Sequence, residues 1–191
     1  MAPRILLVSL TNDVGAERVA GALASHGALC ATLSPRGFYS ARTRYCSLHF
    51  PLPDHHGMWL GALCAHSGLE RAASTWTPDV LVPLDDVSAW LMRGLATGKK
   101  ASPQLRDLIV RSIGSPSGYQ AGISRLGLMR AAAALGISIP KFFEADTAVS
   151  ARKAADELGY PVVMKSEFTC GGHGVSIFRD AASCSVDRSW I

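Results

Sequence analysis

Lys165 ends the apolar run PVVMK, and glycines at 171, 172 and 174 surround His173 a few positions later. A lysine is a point charge on a flexible stem, and glycines let backbone N–H groups approach a ligand that a side chain would keep away. Together they suit phosphate oxygens, which take dipoles from the backbone and charge from the ammonium. Alternate residues of a strand share a face, so Val163 and Lys165 point one way and Val162 and Met164 the other. The ammonium then emerges beside the loop EFTCGGHG. A plain hairpin turn next to a solvated edge lysine gives the same pattern. On the phosphate reading, Lys165→Ala removes binding and spares folding, whereas Val163→Ala destabilises the fold.

Other groupings offer less. Cys46, His49, His55 and His56 lie close in sequence, but their spacing follows no standard zinc pattern and loop histidines explain it as well, so no metal ligand is assigned. Asp85 and Asp86 follow the run VLVPL, at a strand's carboxyl end where open α/β sheets place ligand contacts; a helix N-cap accounts for one of them equally. Ser9, Thr11 and Asn12 read either as a substrate-facing rim or as turn chemistry. The turn SLTNDVG has one glycine, not the G-x-G-x-x-G of a dinucleotide site, and no G-x-S-x-G elbow supports an acyl-enzyme.

The 191 residues are 48% hydrophobic and 18% charged, enough for one large domain or two small ones and not a composition of disorder. The net charge of +4 is spread along the chain without a basic run or interleaved aromatics, which excludes nucleic acid as an expected partner. Five cysteines, odd in number and never in a C-x-x-C pair, signal no disulfide framework, so a reducing cytoplasm is the expected location. No apolar run is long enough to span a membrane, and RILLVSLTND is too short for a signal peptide.

The elements that must position Lys165 alternate between strand and helix. Arg4 to Leu10, Ala28 to Ser34 and Asp79 to Asp85 are near-continuous apolar strands. Helical spacing separates them in AERVAGALASHG and from Gly57 to Trp76, which predicts an α/β fold with a parallel sheet covered on both faces. Residues 34–56 hold too many turn formers and aromatics for one element and read as an extended connection with one short strand. DDVSAWLMRGLATG and SPQLRDLIVRSIG are helical in pattern. Gly, Ser and Pro then concentrate in GSPSGYQAG, which places a linker at 116–122 between a first domain, 1–115, and a second, 123–179. In the second domain, Ser124 caps RLGLMRAAAAL, Gly136 ends it, ISIPKFFEA runs extended, and AVSARKAADEL is a helix stopped by Gly159. PVVMKS and GVSIF form a hairpin, and 180–191 is an irregular tail.

The ordered set SRLGLMRAAAALGISIP, GYPVVMK and TCGGHG resembles the opening of an ATP-grasp domain, in which a helix with a basic residue, a G-I-x-x-P strand, a second helix and a G-Y-P-V-V-x-K strand lead to a glycine-rich phosphate loop. The upstream part, with FYSARTRYCSLHFPLP and PDVLVPLDD, resembles the Rossmann-like domain that precedes ATP-grasp in carboxylate-amine ligases. The resemblance implies a Rossmann-like parallel-sheet domain followed by a small α+β lobe. It makes Lys165 a ligand of ATP phosphates, and Gly171, Gly172, His173 and Gly174 the loop that closes over them. Arg125 stands where the family usually has lysine and would also contact phosphate.

The implied activity is ATP-dependent activation of a carboxylate as an acyl phosphate, followed by transfer to an amine or thiol. ATP, Mg²⁺ and a carboxylate small molecule are the implied partners, and a homo-oligomer stays open. The family's Mg²⁺ ligands and adenine-side strand lie in a later half of its domain, so an incomplete or frame-shifted chain without those ligands is the expectation here. Against this stand two other readings: a non-catalytic module that binds a small molecule or partner, and a receiver-type domain, which would need an acidic pair after the first strand.

Overall fold

A computed structural model describes residues 1–12, 15–53, 58–167, 169 and 174–185. The chain divides into two compact units, Met1–Ser117 and Gly118–Ile191. Among the described residues no helix is long and apolar enough to cross a membrane.

The first unit runs β1 (Arg4–Val8), α1 (Ala16–Ser25), β2 (Leu29–Pro35), α2 (Tyr39–Arg42), β3 (Cys46–Leu52), α3 (Met58–Thr75), β4 (Val80–Pro83), α4 (Asp86–Thr97) and α5 (Pro103–Ile113). Its strands form one sheet in the order β3-β2-β1-β4, and every neighbouring pair is parallel. Parallel strands joined by helical crossovers are covered on both faces, which is why β2 is buried from Cys30 to Pro35. One face carries the main core: Leu6 and Val8, Ala31 and Leu33, and Leu81 pack with Leu69 of α3, Met92 of α4 and Leu105 and Ile109 of α5. The approach of α3 is close, since a Cβ on Gly68 would lie 2.7 Å from a methyl of Leu33. On the other face Cys30 lies against α1, its Sγ 3.9 Å from the Ala20 carbonyl oxygen.

Residues 34–53 hold more order than their composition suggests. They form the short helix α2 and a seven-residue edge strand, β3, paired with β2 from Cys30↔Cys46 to Pro35↔Leu52 across a register shift. An edge position tolerates Pro51, which a central strand would not. At the opposite edge, the Leu81 N–H donates to the Ser112 hydroxyl of α5 at 2.8 Å, and the Leu84 N–H turns inward to the Val8 carbonyl.

In the second unit, the segment read as a linker is helical. A 3₁₀ turn at Pro116–Gly118 leads into α6 (Tyr119–Ile123), followed by α7 (Arg125–Ala134), α8 (Ala148–Leu158), β5 (Val162–Lys165) and β6 (Val175–Phe178). Glycine is required where α6 meets α7, because a Cβ on Gly127 would sit 2.7 Å from the Gln120 carbonyl oxygen. ISIPKFFEA forms no strand. The antiparallel hairpin β5–β6 pairs Val162↔Phe178 through Lys165↔Val175. Its small core joins Val162 and Phe178 to Ala155 of α8 and to Cys184. The described part of the tail is ordered around Asp180: its carboxylate accepts the Ser183 N–H at 2.7 Å, and Arg152 holds the Cys184 carbonyl at 2.6 Å.

Candidate functional site

Lys165 lies at the carboxyl end of β5 on the exposed face of the hairpin. The alternation read from sequence holds, but it reverses the role assigned to Val163. That residue is 54% exposed, and Val162, at 8%, carries the packing. Ion pairs among the described residues join His66 to Glu70, Arg130 to Glu144 and Lys141 to Glu157, so none of them engages the Lys165 ammonium.

One rung beyond Lys165 the loop is closed at its base, where the Ser166 N–H donates to the Gly174 carbonyl at 2.8 Å. Gly174 has φ +65, and a Cβ there would lie 2.9 Å from both Cγ2 and Oγ1 of Thr169, so backbone conformation and space both demand glycine. Gly171, Gly172 and His173 lie outside the described residues.

Arg125, the first residue of α7, reaches the same loop. Its Nη1 donates to the Ser166 carbonyl and, at 3.1 Å, to Thr169 Oγ1, and its Nη2 donates to the Thr169 carbonyl. In return the Glu167 carboxylate accepts the Leu126 N–H of α7 at 3.0 Å. Arg125 and Lys165 are thus brought to one end of β5, and Ser166, Glu167 and Thr169 join them unforeseen. The sequence signalled a need for such partners but not which residues supply them. An arginine directly after an N-cap opposes the positive end of the helix dipole and needs acceptors from elsewhere.

The groups singled out in the first unit serve its backbone. Asp85 caps α4: one oxygen accepts the Ser88 N–H at 2.7 Å, and the other accepts the N–H groups of Leu10 at 2.7 Å and Thr11 at 3.2 Å. Asp86 lies in the first turn of α4, where a negative charge suits the dipole. The Ser9 hydroxyl donates to the Thr11 carbonyl, and Asn12 Oδ1 accepts the Tyr39 N–H, both at 2.9 Å. His49 Nε2 is 2.8 Å from the Ser34 carbonyl oxygen. Burial, with the neighbouring Cys30 second, pushes the Cys46 thiol up to about 12, which keeps it protonated. His55 and His56 lie outside the described residues. Among the described residues no three of His, Cys, Asp and Glu converge where they could hold a metal ion.

Residues 125–186, from Arg125 past the hairpin, match the family described as the ATP-binding domain of the carbamoyl-phosphate synthase large chain. The likeness to an ATP-grasp ATP-binding domain thus falls on the second unit. The carbamoyl phosphate synthase large chain of Paenarthrobacter aurescens is 32% identical over 100 residues, which are 52% of this chain and 9% of that protein. That of Mycobacterium tuberculosis is 40% identical over 47 residues, 25% of this chain and 4% of its own length. The chain therefore matches less than a tenth of the length of these curated relatives.

Solved ATP-grasp structures share the fold over both units. An N5-carboxyaminoimidazole ribonucleotide synthetase in complex with ADP superposes with TM-score 0.63 at 16% identity, covering 96% of this chain and 43% of that one. The biotin carboxylase domain of Hydrogenobacter thermophilus 2-oxoglutarate carboxylase, solved with magnesium ADP, ADP and bicarbonate, gives 0.61 at 16% identity over 96% and 39%.

Proposed function

We propose that the second unit binds the phosphates of ATP through Lys165 and the loop that ends at Gly174, in the service of an ATP-dependent ligase acting on a carboxylate. The observation that carries this is the Lys165 ammonium, free of carboxylate partners among the described residues and set one residue before a loop closed by the Ser166–Gly174 bond. The site's own residues fit a polyphosphate, since an exposed ammonium is already in place beside the loop base.

In the reaction, a carboxylate oxygen attacks the γ-phosphorus of ATP, the bridging bond to the β-phosphate breaks, and ADP leaves. An amine or thiol then attacks the acyl carbon of the acyl phosphate, inorganic phosphate departs, and the nucleophile loses its proton. Lys165 would hold phosphate oxygens and offset charge that builds as ADP leaves. The carboxylate substrate, the nucleophile and any partner subunits belong to the whole protein, and this chain matches only part of its relatives.

Calorimetric titration with ATP tests the reading. Lys165→Ala is expected to weaken binding by about 1.5 to 3 kcal/mol, the scale of a hydrogen bond to a charged group. Its urea midpoint should match wild type, because an exposed strand-end side chain leaves no cavity. Wild-type affinity for ATP that survives Lys165→Ala unchanged would refute the assignment. Binding that depends on Lys165 without carboxylate-dependent ADP release would favour a nucleotide-binding module over a self-sufficient enzyme.

A further inference from the structure

We propose that Arg125 acts as a positioning residue: with Glu167 it forms a two-way latch that ties Ser166 and Thr169, at the base of the loop after Lys165, to the first turn of α7. The functional consequence rests on the ATP reading above, whereas the latch itself stands on geometry.

The first turn of α7 carries no acidic residue of its own, and Arg125 adds positive charge where the helix dipole is already positive. Two features answer this. Glu167 brings a carboxylate to the Leu126 N–H from 41 positions away, and Ser124 caps the Gly127 N–H at 2.9 Å. The Arg125 guanidinium points away from the helix into loop acceptors and commits three of its five N–H donors, including both on Nη1. Thr169 completes the ring: its hydroxyl donates to the Ser166 carbonyl at 3.0 Å while accepting from Arg125, and its side chain fills the space that makes Gly174 obligatory.

Arg125, Ser166, Thr169 and Gly174 are therefore one hydrogen-bonded and packed unit immediately after Lys165. A guanidinium suits this work because its planar fork serves several acceptors at fixed angles, which an ammonium on a flexible stem does not. A loop fixed at its base before ligand arrives loses less conformational freedom on binding.

The test uses Arg125→Lys, which keeps the charge and loses the fork, and Thr169→Val, which keeps the shape and loses the hydroxyl. In hydrogen exchange without nucleotide, the Ser166 amide should exchange about tenfold faster in Arg125→Lys, the scale of one charge-assisted bond, while β5 and the first unit keep wild-type protection. In ATP titrations each variant should lose several-fold in affinity, and the double variant should be no weaker than Arg125→Lys alone, because both break one ring.

Wild-type exchange at Ser166 in Arg125→Lys would overturn the latch. So would affinity losses that multiply in the double variant, or Arg125→Lys binding ATP as wild type does, since a retained charge would then suffice. If the wild-type chain binds no ATP, the ATP reading fails and the exchange experiment alone judges the latch. If Arg125→Lys does not fold, faster Ser166 exchange in Thr169→Val upholds the latch and unchanged exchange refutes it.

Discussion

The two units are held together by different means. In the first, every strand of the sheet sends residues into a single cluster with α3, α4 and α5, and Leu6, Val8, Leu33 and Ile109 have no exposed surface. In the second, the buried cluster is Ala155, Val162, Phe178 and Cys184, and much of the remaining order comes from side chains gripping backbone: Arg125 on 166 and 169, Glu167 on 126, Arg152 on 184. Burial contributes in proportion to area, whereas a hydrogen bond adds little net stability but fixes geometry. The candidate phosphate loop thus sits in the unit specified more by bonding than by packing, where local opening is cheap.

The same deletion in each unit tests that contrast. Val8→Ala should cost about 2 to 4 kcal/mol in a urea melt, because it opens a cavity at a site with no slack. Asp85→Ala should follow at about 1 to 2 kcal/mol, since it strips the α4 cap and uncouples the ends of β1 and β4. Val162→Ala is expected to cost about 1 to 2 kcal/mol, with faster exchange confined to the second unit. If it unfolds both units together, the division into separately stabilised parts is wrong.

The smallest effect is at Glu70. Burial opposes its ionisation, but the Ser102 N–H and hydroxyl, both at 2.7 Å, and His66 outweigh that and hold the carboxyl below its ordinary value. A carboxyl lowered on folding stabilises above its unfolded pKa, and that contribution is lost as pH falls through the folded value. Acid melts of Glu70→Gln should therefore show a shallower loss of first-unit stability below the glutamate range than wild type, with the second unit unaffected.

How much of this was legible in sequence depends on the range of the interaction. The α/β alternation, the Asp85 cap and the in-out order of Val162 and Lys165 follow from neighbours a few positions apart, and all are readable there. β3 was half hidden because its Phe50, Pro51 and Leu52 look like a loop until β2 lies beside them. The Gly, Ser and Pro punctuation at 116–122 marked where the chain divides but not that its residues form short helical turns, with Gly118 at the entry to α6. Arg125 was visible as a basic residue at the right place. Its partners, 41 and 44 positions away, were not.

Strand β4 is the outermost member of its sheet, and an outer strand is usually a template on which another chain can build. Its residues alternate in direction, so with the Leu84 N–H turned inward, the backbone nitrogens that face outward are those of Leu81 and Pro83. Ser112 already takes the first, and proline has no hydrogen to give. An incoming segment would find carbonyls but no donor along β4, which guards this side of the domain against strand exchange and fibrous stacking while the chain folds at high concentration.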